Sequence, residues 1–329
     1  MKSIYIFSSG EIKRKENTIF INTEEGKKFI PVENIREILI FGEVSITKKC
    51  LELLSQKEIC VHFFNYYGYY TGTFYPREHY NSGYMLLKQC EHYLDYQKRL
   101  YLAKRFVEGA FLNMSKVLQY YNKRDINLEE EIQKLENLAS KIKDTQNIDE
   151  LRAIEGNMRH HYYLSFDKII SNENFRFNVR SRRPPQNRLN ALISFGNSLL
   201  YVVILSEIYK THLDPRIGFL HETNFRRFTL NLDIAEIFKP VIVDRIIFTV
   251  LNKEMIREND FDGELKGIYL KNKGRITFIK EFDKKLDSTI RHEKLKRNVS
   301  YRTLIRMELY KLEKHFMGDE DYFPYVARW

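Results

Sequence analysis

The feature that most constrains the fold is a change of hydrophobic period near residue 76. Before it, short runs rich in β-branched and aromatic residues, SIYIF, TIFIN, FIPV, REILIFG, ICVHFF and YYTGTFY, are separated by turn positions that include Gly10, Gly26 and Gly68. Such runs predict strands, and Gly68 falls in the tight 65–69 connection of an expected hairpin. One helix interrupts them, over KKCLELLSQ, where Leu51, Leu53 and Leu54 recur at helical spacing and Thr47 stands at the cap position. After Pro76 the period lengthens: over 84–121 Leu94, Leu100, Ala103, Val107 and Leu118 follow one another in steps that suit one helix face. The remainder reads as almost wholly helical, apart from 263–274, where GIYLKNKGRITF begins to alternate like a hairpin. The expectation is an α+β chain: a β domain over 1–76, a linker over 77–83 within the turn-rich PREHYNSG, and a larger all-α domain over 84–329. The mixed-charge segment 123–149 is expected to be a solvated helical hairpin. No fixed-period repeat or low-complexity tract is visible.

Charge narrows the partner class. The 54 Lys and Arg exceed the 44 Asp and Glu, a formal charge of +10, which favours a polyanion such as nucleic acid. No apolar run approaches the roughly 20 residues of a spanning helix, and MKSIYIFSSGEIKR lacks the cleavage site of a signal peptide. A cytoplasmic protein without membrane contact is expected. Cys50, Cys60 and Cys90 form no CxxC pair, so neither a zinc ribbon nor a disulfide framework is supported.

Three places carry candidate chemistry. Glu155 lies within the helical IDELRAIEGNMRHHYY. In GFLHETNFRRFTLNLDIAEIFKP, His221 is followed by Asp233 and Glu236, whose spacing of three puts both carboxylates on one helix face. Oxygen ligands suit Mg2+, and an added imidazole shifts the preference toward Mn2+. The plainer alternative is a partly buried histidine, with Asp233 and Glu236 in salt bridges to Arg226, Arg227 or Lys239, and spacing alone favours it. His160, His161 and His212 compete as ligands; Gly218 before His221 and the acidic helix after it favour His221. The third place is FRFNVRSRRPPQNRLNALISFGNSLLY, where Arg176, Arg180, Arg182, Arg183 and Arg188 accompany Asn190, with no acidic residue over 174–206. Guanidinium forks suit phosphate oxygens, and Pro184 and Pro185 are expected to break a preceding helix and expose the loop. Lys294, Lys296, Arg297, Arg302 and Arg306 form a second basic stretch, open to reading as a helix surface.

These motifs, in this order behind a β half, resemble the CRISPR-associated Cas1 family of integrases. The resemblance covers nearly the whole chain, from SSGEIKRKENTIFI and FIPVENIREILIFGEVSITKKCLELL through DYQKRLYLAKRFVEGAFLN, IEGNMRHHYY and RSRRPPQNRLNALISFGNSLLY to YRTLIRMELYKLEKH. It implies an N-terminal β-sandwich, an all-helical catalytic domain, a homodimer, a small partner protein (Cas2), and DNA as substrate, both spacer-precursor duplex and CRISPR repeat. The metal ligands would fall on Glu155, His221 and Glu236, for Mg2+ or Mn2+, with Asp233 supporting the site. Many relatives carry aspartate at the last ligand. The implied activity is metal-dependent insertion of new spacers by 3′-hydroxyl attack on a phosphodiester. The alternatives are a stand-alone metal-dependent nuclease acting on branched DNA and a non-catalytic DNA-binding scaffold.

Overall fold

A computed structural model describes residues 1–24, 26–77, 80, 82–223, 228–264 and 267–328. The chain divides into two compact units, Met1–Asn81 and Ser82–Trp329. In the first, β1 (Lys2–Ile6), β2 (Gly10–Lys15), β3 (Thr18–Thr23), β4 (Gly26–Pro31), β5 (Ile35–Ile40) and β6 (Val44–Ile46) precede α1 (Lys48–Gln56), and β7 (Val61–Phe64) and β8 (Tyr70–Phe74) follow it. They form two four-stranded sheets, β1-β5-β7-β8 and β4-β3-β2-β6. One apolar core draws on both sheets and the helix, with Ile6, Ile38 and Val61 from one, Ile12, Ile19 and Ile21 from the other, and Leu53 and Leu54 from α1. The β7–β8 hairpin turns as expected: Gly68 has φ 82°, where a side chain would be strained, and the Asn65 Oδ1 accepts the Tyr67 and Tyr69 N–H groups at 3.1 and 3.0 Å.

Two strands of this unit escaped the sequence reading, as did a hairpin over Thr289–His292 and Arg297–Ser300 in the half expected to be helical outside 263–274. In β2, GEIKRK, only Ile12 is buried, so the charged residues conceal the one side chain that reaches the core; β6 spans three residues. Thr47 occupies the cap position of α1 without a side-chain cap bond. Cys50 and Cys60 are buried free thiols and Cys90 is half-buried.

The second unit is mainly helical: α2 (Gly83–Leu94), α3 (Tyr96–Asn122), α4 (Glu129–Ala139), α5 (Ile148–Leu164), α6 (Phe166–Ile169), α7 (Arg188–Ile208), α8 (Leu230–Phe238), α9 (Arg245–Asn252), α10 (Asn272–Asp287) and α11 (Tyr301–Met317). Two hairpins interrupt them, β9 (Phe261–Glu264) with β10 (Gly267–Leu270), and β11 (Thr289–His292) with β12 (Arg297–Ser300). Thus 84–121 is two helices, divided at Asp95, whose carboxylate accepts the Gln97 and Lys98 N–H groups. The hairpin expected at 263–274 starts earlier, and KNKGRITF belongs mostly to α10. The segment 123–149 holds α4, a 3-10 turn at Ser140–Ile142 and the first residues of α5; α4 is solvated apart from buried Leu135, and Leu128 and Ile142 are buried on either side of it.

At the centre lies α7, and here one expectation fails. It is long and apolar enough to cross a membrane by length and composition, with mean hydropathy 1.7, because its Asn and Ser residues interrupt but do not outweigh the apolar ones. Its most apolar stretch is 83% buried within the unit, as expected for a core helix surrounded on every side. Gly196 lets it approach the π-type turn Pro240–Asp244 between α8 and α9, since a Cβ there would lie 2.6 Å from Val243 Cγ1. That turn, α3, α7 and α11 pack against α8 and fix its position.

Candidate active site

The loop before α8 is folded around one carboxylate. Asp233 is fully buried in the first turn of α8. Its Oδ2 accepts the backbone N–H groups of Phe219 and Leu220 at 2.5 and 3.1 Å, and its Oδ1 accepts that of His221 at 2.9 Å. The same Oδ1 lies 2.7 Å from His221 Nδ1. Thr229 closes the loop from below, accepting the Gly218 N–H at 2.9 Å and donating to the Arg216 carbonyl at 2.7 Å. Gly218 is required by this closeness: a Cβ would stand 2.9 Å from Asp233 Oδ2 and 2.8 Å from the Thr229 carbonyl carbon. The carboxylate selects the tautomer with hydrogen on Nδ1, which leaves Nε2 as the nitrogen with a lone pair for a ligand. Burial opposes protonation of His221, but the Asp233 bond and the Asp233 and Glu236 charges together outweigh it and raise the pKa.

Two more carboxylates, Glu236 and Glu155, share a pair of cations. Glu236, one turn beyond Asp233, is buried; its Oε2 accepts from Arg159 Nη2 at 2.5 Å and its Oε1 is ion-paired with Lys239. Arg159, one turn beyond Glu155 on α5, places its Nε 3.5 Å from Glu155 Oε1. Burial alone would raise the Glu236 pKa, yet Lys239 and Arg159 hold it well below the carboxylate range. Glu155 is raised, by burial and then by the nearby Glu236 charge. The arrangement therefore stores negative charge in an apolar surrounding, neutralised by Arg159 and Lys239.

The predicted residues are brought together in two pairs: His221 with Asp233, and Glu155 with Glu236 through Arg159. Among the described residues, no three His, Cys, Asp or Glu side chains are gathered at metal-ligating separation. The donors nonetheless fit a hard divalent cation in kind. Two carboxylates already attract cationic nitrogens, and an imidazole is backed by a carboxylate in the manner of metal-binding histidines. Every bond of Asp233 goes to the loop and to the His221 ring, so it orients a donor. Of the salt bridges weighed from spacing, Glu236 with Lys239 is present; Arg226 and Arg227 lie outside the described residues. His212 is bonded to Glu313 instead, and His160 packs beside His161 and Phe177. Sequence reasoning missed Arg159, four residues after Glu155, and buried Asp244, an acid inside the apolar PVIVDRIIF.

The arginine loop runs without regular structure from Arg176 to the start of α7. No helix runs into the proline pair, because α6 ends at Ile169. Arg182 and Arg183 are exposed, as is Arg176, but Arg176 is not without an acidic partner: it donates to Glu173 at 2.6 Å, just upstream of the acid-free stretch. Arg188 is half-buried and reaches the Asn174 carbonyl at 3.5 Å. Arg180 turns inward, donating to Asn190 Oδ1 at 2.9 Å and Ser194 Oγ at 3.0 Å. Buried Asn190 also donates to the Val179 carbonyl at 2.8 Å, so this pair shapes the loop. The second basic stretch is not one helix surface. Lys294 and Lys296 sit at the β11–β12 turn and Arg297 in β12, while Arg302 and Arg306 of α11 pair with buried Glu207.

Comparison with known proteins agrees with this architecture. The family described as CRISPR associated protein Cas1 matches residues 4–284. A CRISPR-associated endonuclease Cas1 of Thermodesulfovibrio yellowstonii is 60% identical over 328 residues, covering 100% of this chain and 99% of its own. The structure of a Cas1 protein from Thermotoga maritima superposes with a TM-score of 0.90 at 50% identity, covering 99% and 100%. A casposase bound to integration product shares the fold, with a TM-score of 0.87 at 21% identity over 100% of this chain and 96% of that one. The chain belongs to the CRISPR-associated Cas1 family, and it is a nuclease of that family.

Proposed function

We propose that this nuclease is a divalent-metal-dependent DNA integrase and endonuclease that inserts new spacers into a CRISPR array. The observation that carries the reading is the His221 ring held through Nδ1 by Asp233, which lies buried one turn before Glu236 on the same helix, with the Glu155 carboxyl near enough to feel the His221 charge. Glu155, Glu236 and His221 Nε2 would hold Mg2+ or Mn2+. When bound, the ion supplies Lewis-acid polarisation of a phosphoryl oxygen and lowers the pKa of an attacking hydroxyl. The chain's own part is to hold these donors in place. Asp233 keeps the imidazole in the ligating tautomer, Thr229 and Gly218 close the loop that presents it, and exposed Arg182 and Arg183 draw the DNA backbone toward the unit.

The reaction joins a 3′-hydroxyl oxygen to a phosphorus of the repeat as the former ester oxygen leaves with a proton. Water in place of the hydroxyl gives hydrolysis, so joining and cutting draw on one site. The casposase of the same fold was solved bound to integration product. A homodimer, the Cas2 partner and a cytoplasmic location belong to this reading through the family resemblance. Incubating the chain, with and without Cas2, with short duplex DNA, Mn2+ and a repeat-bearing plasmid tests it. Covalent insertion is expected, and cleavage without joining under these conditions would favour a nuclease acting on branched DNA.

A further inference from the structure

Behind the two carboxylates lies a group this chemistry does not use. Asp244 ends the Pro240–Asp244 turn, is fully buried, and among the described residues neither of its oxygens has a hydrogen-bond partner. A buried carboxylate left so is unfavourable, and such groups commonly await a partner that another state supplies. The nearby partner is Arg159. Its Nη1 is buried without a hydrogen-bond partner, while Nη2 holds Glu236 and Nε faces Glu155. Arg159 and Asp244 attract each other in this arrangement without being bonded. Tyr162 is buried beside Asp244 and acts on its carboxyl, with no hydrogen bond of good geometry between the two. The guanidinium thus has one edge on the proposed ligands and one edge open, with an unoccupied acceptor nearby.

Charge indicates what this is for. A divalent ion approaching Glu155 and Glu236 meets Arg159 and Lys239 on the same carboxylates, and like charges in a buried site repel strongly. Lys239 is further held over the Tyr201 ring, 5.2 Å from its centroid. Asp244 attracts both cations, but Arg159 is the one with a buried nitrogen, Nη1, still without a hydrogen-bond partner. We propose that Asp244 is a positioning residue for the divalent ion, a reserve acceptor that takes the Arg159 guanidinium when the ion claims Glu155 and Glu236. Its negative charge then offsets part of the added positive charge. Burial pushes the Asp244 carboxyl up to about 7, against the pull of Arg159 and Lys239, in keeping with an acid whose partner is elsewhere in the metal-free molecule. The inference rests on the metal reading above.

Calorimetric titration of the full chain with Mn2+ alone tests it, using wild type, Asp244→Asn, Arg159→Gln and the double variant, with Asp244→Ala as a second truncation. Asp244→Asn is expected to weaken Mn2+ binding about tenfold or more, while its thermal midpoint in EDTA does not fall, because the replacement is isosteric and removes an unpartnered carboxylate. In the Arg159→Gln background the same change should leave affinity unaltered, which a merely structural role of Asp244 would not produce. Unchanged Mn2+ affinity in Asp244→Asn, or an equal loss in both backgrounds, overturns the proposal while the metal reading stands. Absence of Mn2+ binding in the wild type overturns both.

Discussion

Asp233 takes hold of His221 twice, accepting its backbone N–H at 2.9 Å and its ring Nδ1 at 2.7 Å through one carboxylate oxygen. The other oxygen holds the two preceding N–H groups. Backbone and imidazole are therefore oriented by a single buried charge, and this separates two roles that spacing could not. Asp233 builds the loop, and His221 presents a nitrogen from it.

The roles predict different losses. In Asp233→Asn the amide must turn its NH2 toward at least one backbone donor, so stability should fall by about 1–3 kcal/mol together with activity. His221→Ala should leave stability nearly intact, since the side chain is 32% exposed, but abolish metal-dependent cleavage and joining. Urea unfolding beside a cleavage assay measures both, and full activity in His221→Ala would remove it from the site.

Gly218→Ala probes the same loop from outside the donor set. The added methyl meets the Thr229 carbonyl carbon and Asp233 Oδ2 at under 3 Å, so a loss of about 1–3 kcal/mol is expected. Activity should fall as the loop shifts, and wild-type stability in thermal unfolding would contradict the packing described.

Asp244 sets a pH dependence in the metal-free protein. An unfolded aspartate ionises near 4, whereas the buried one keeps its proton to about 7. The unfolded chain therefore loses its proton first. The stability tied to this site is full below about pH 4 and lost as pH rises through 7. Measured in EDTA by denaturant unfolding, the advantage of Asp244→Asn over wild type should grow by on the order of 3–4 kcal/mol across that window. A pH-independent difference would mean that Asp244 is not buried as described.

DNA binding should be steeply salt-dependent. Exposed Arg182 and Arg183 are each expected to contribute about one unit to the slope of log affinity against log salt, so Arg182→Ala and Arg183→Ala should each flatten it by about that amount. Asn190→Ala should act otherwise, releasing Arg180 and disordering the loop. Fluorescence anisotropy with duplex DNA over a salt series separates them.

Much of this was legible in the sequence because the signals were local. The change of period after Pro76, the turn at Gly68 and the three-residue step from Asp233 to Glu236 needed no tertiary information. What escaped depends on neighbours distant in the chain or on a single buried side chain. Strand β2 looks charged because only Ile12 points inward. That Arg180 and Asn190 bond to each other depends on the loop folding back on the start of α7. The α7 helix has the length and apolar composition of a membrane span, which its interspersed Asn and Ser residues hid from a search for an unbroken apolar run, and its burial marks it as a core helix. Lys239 was visible as an ion-pair partner by its step of three from Glu236, but that Arg159 bridges α5 to α8 requires two helices to meet. An acid in the apolar PVIVDRIIF was the one signal that could have pointed to Asp244.

The central claim is that Glu155, Glu236 and His221 act together on a divalent ion to drive phosphoryl transfer. Its most direct test follows covalent joining of a 3′-hydroxyl duplex to a repeat-bearing plasmid, with Mn2+ or with EDTA, for wild type and Glu236→Gln. Joining should require both Mn2+ and the Glu236 carboxylate. Joined product in EDTA, or undiminished joining by Glu236→Gln, would contradict the account.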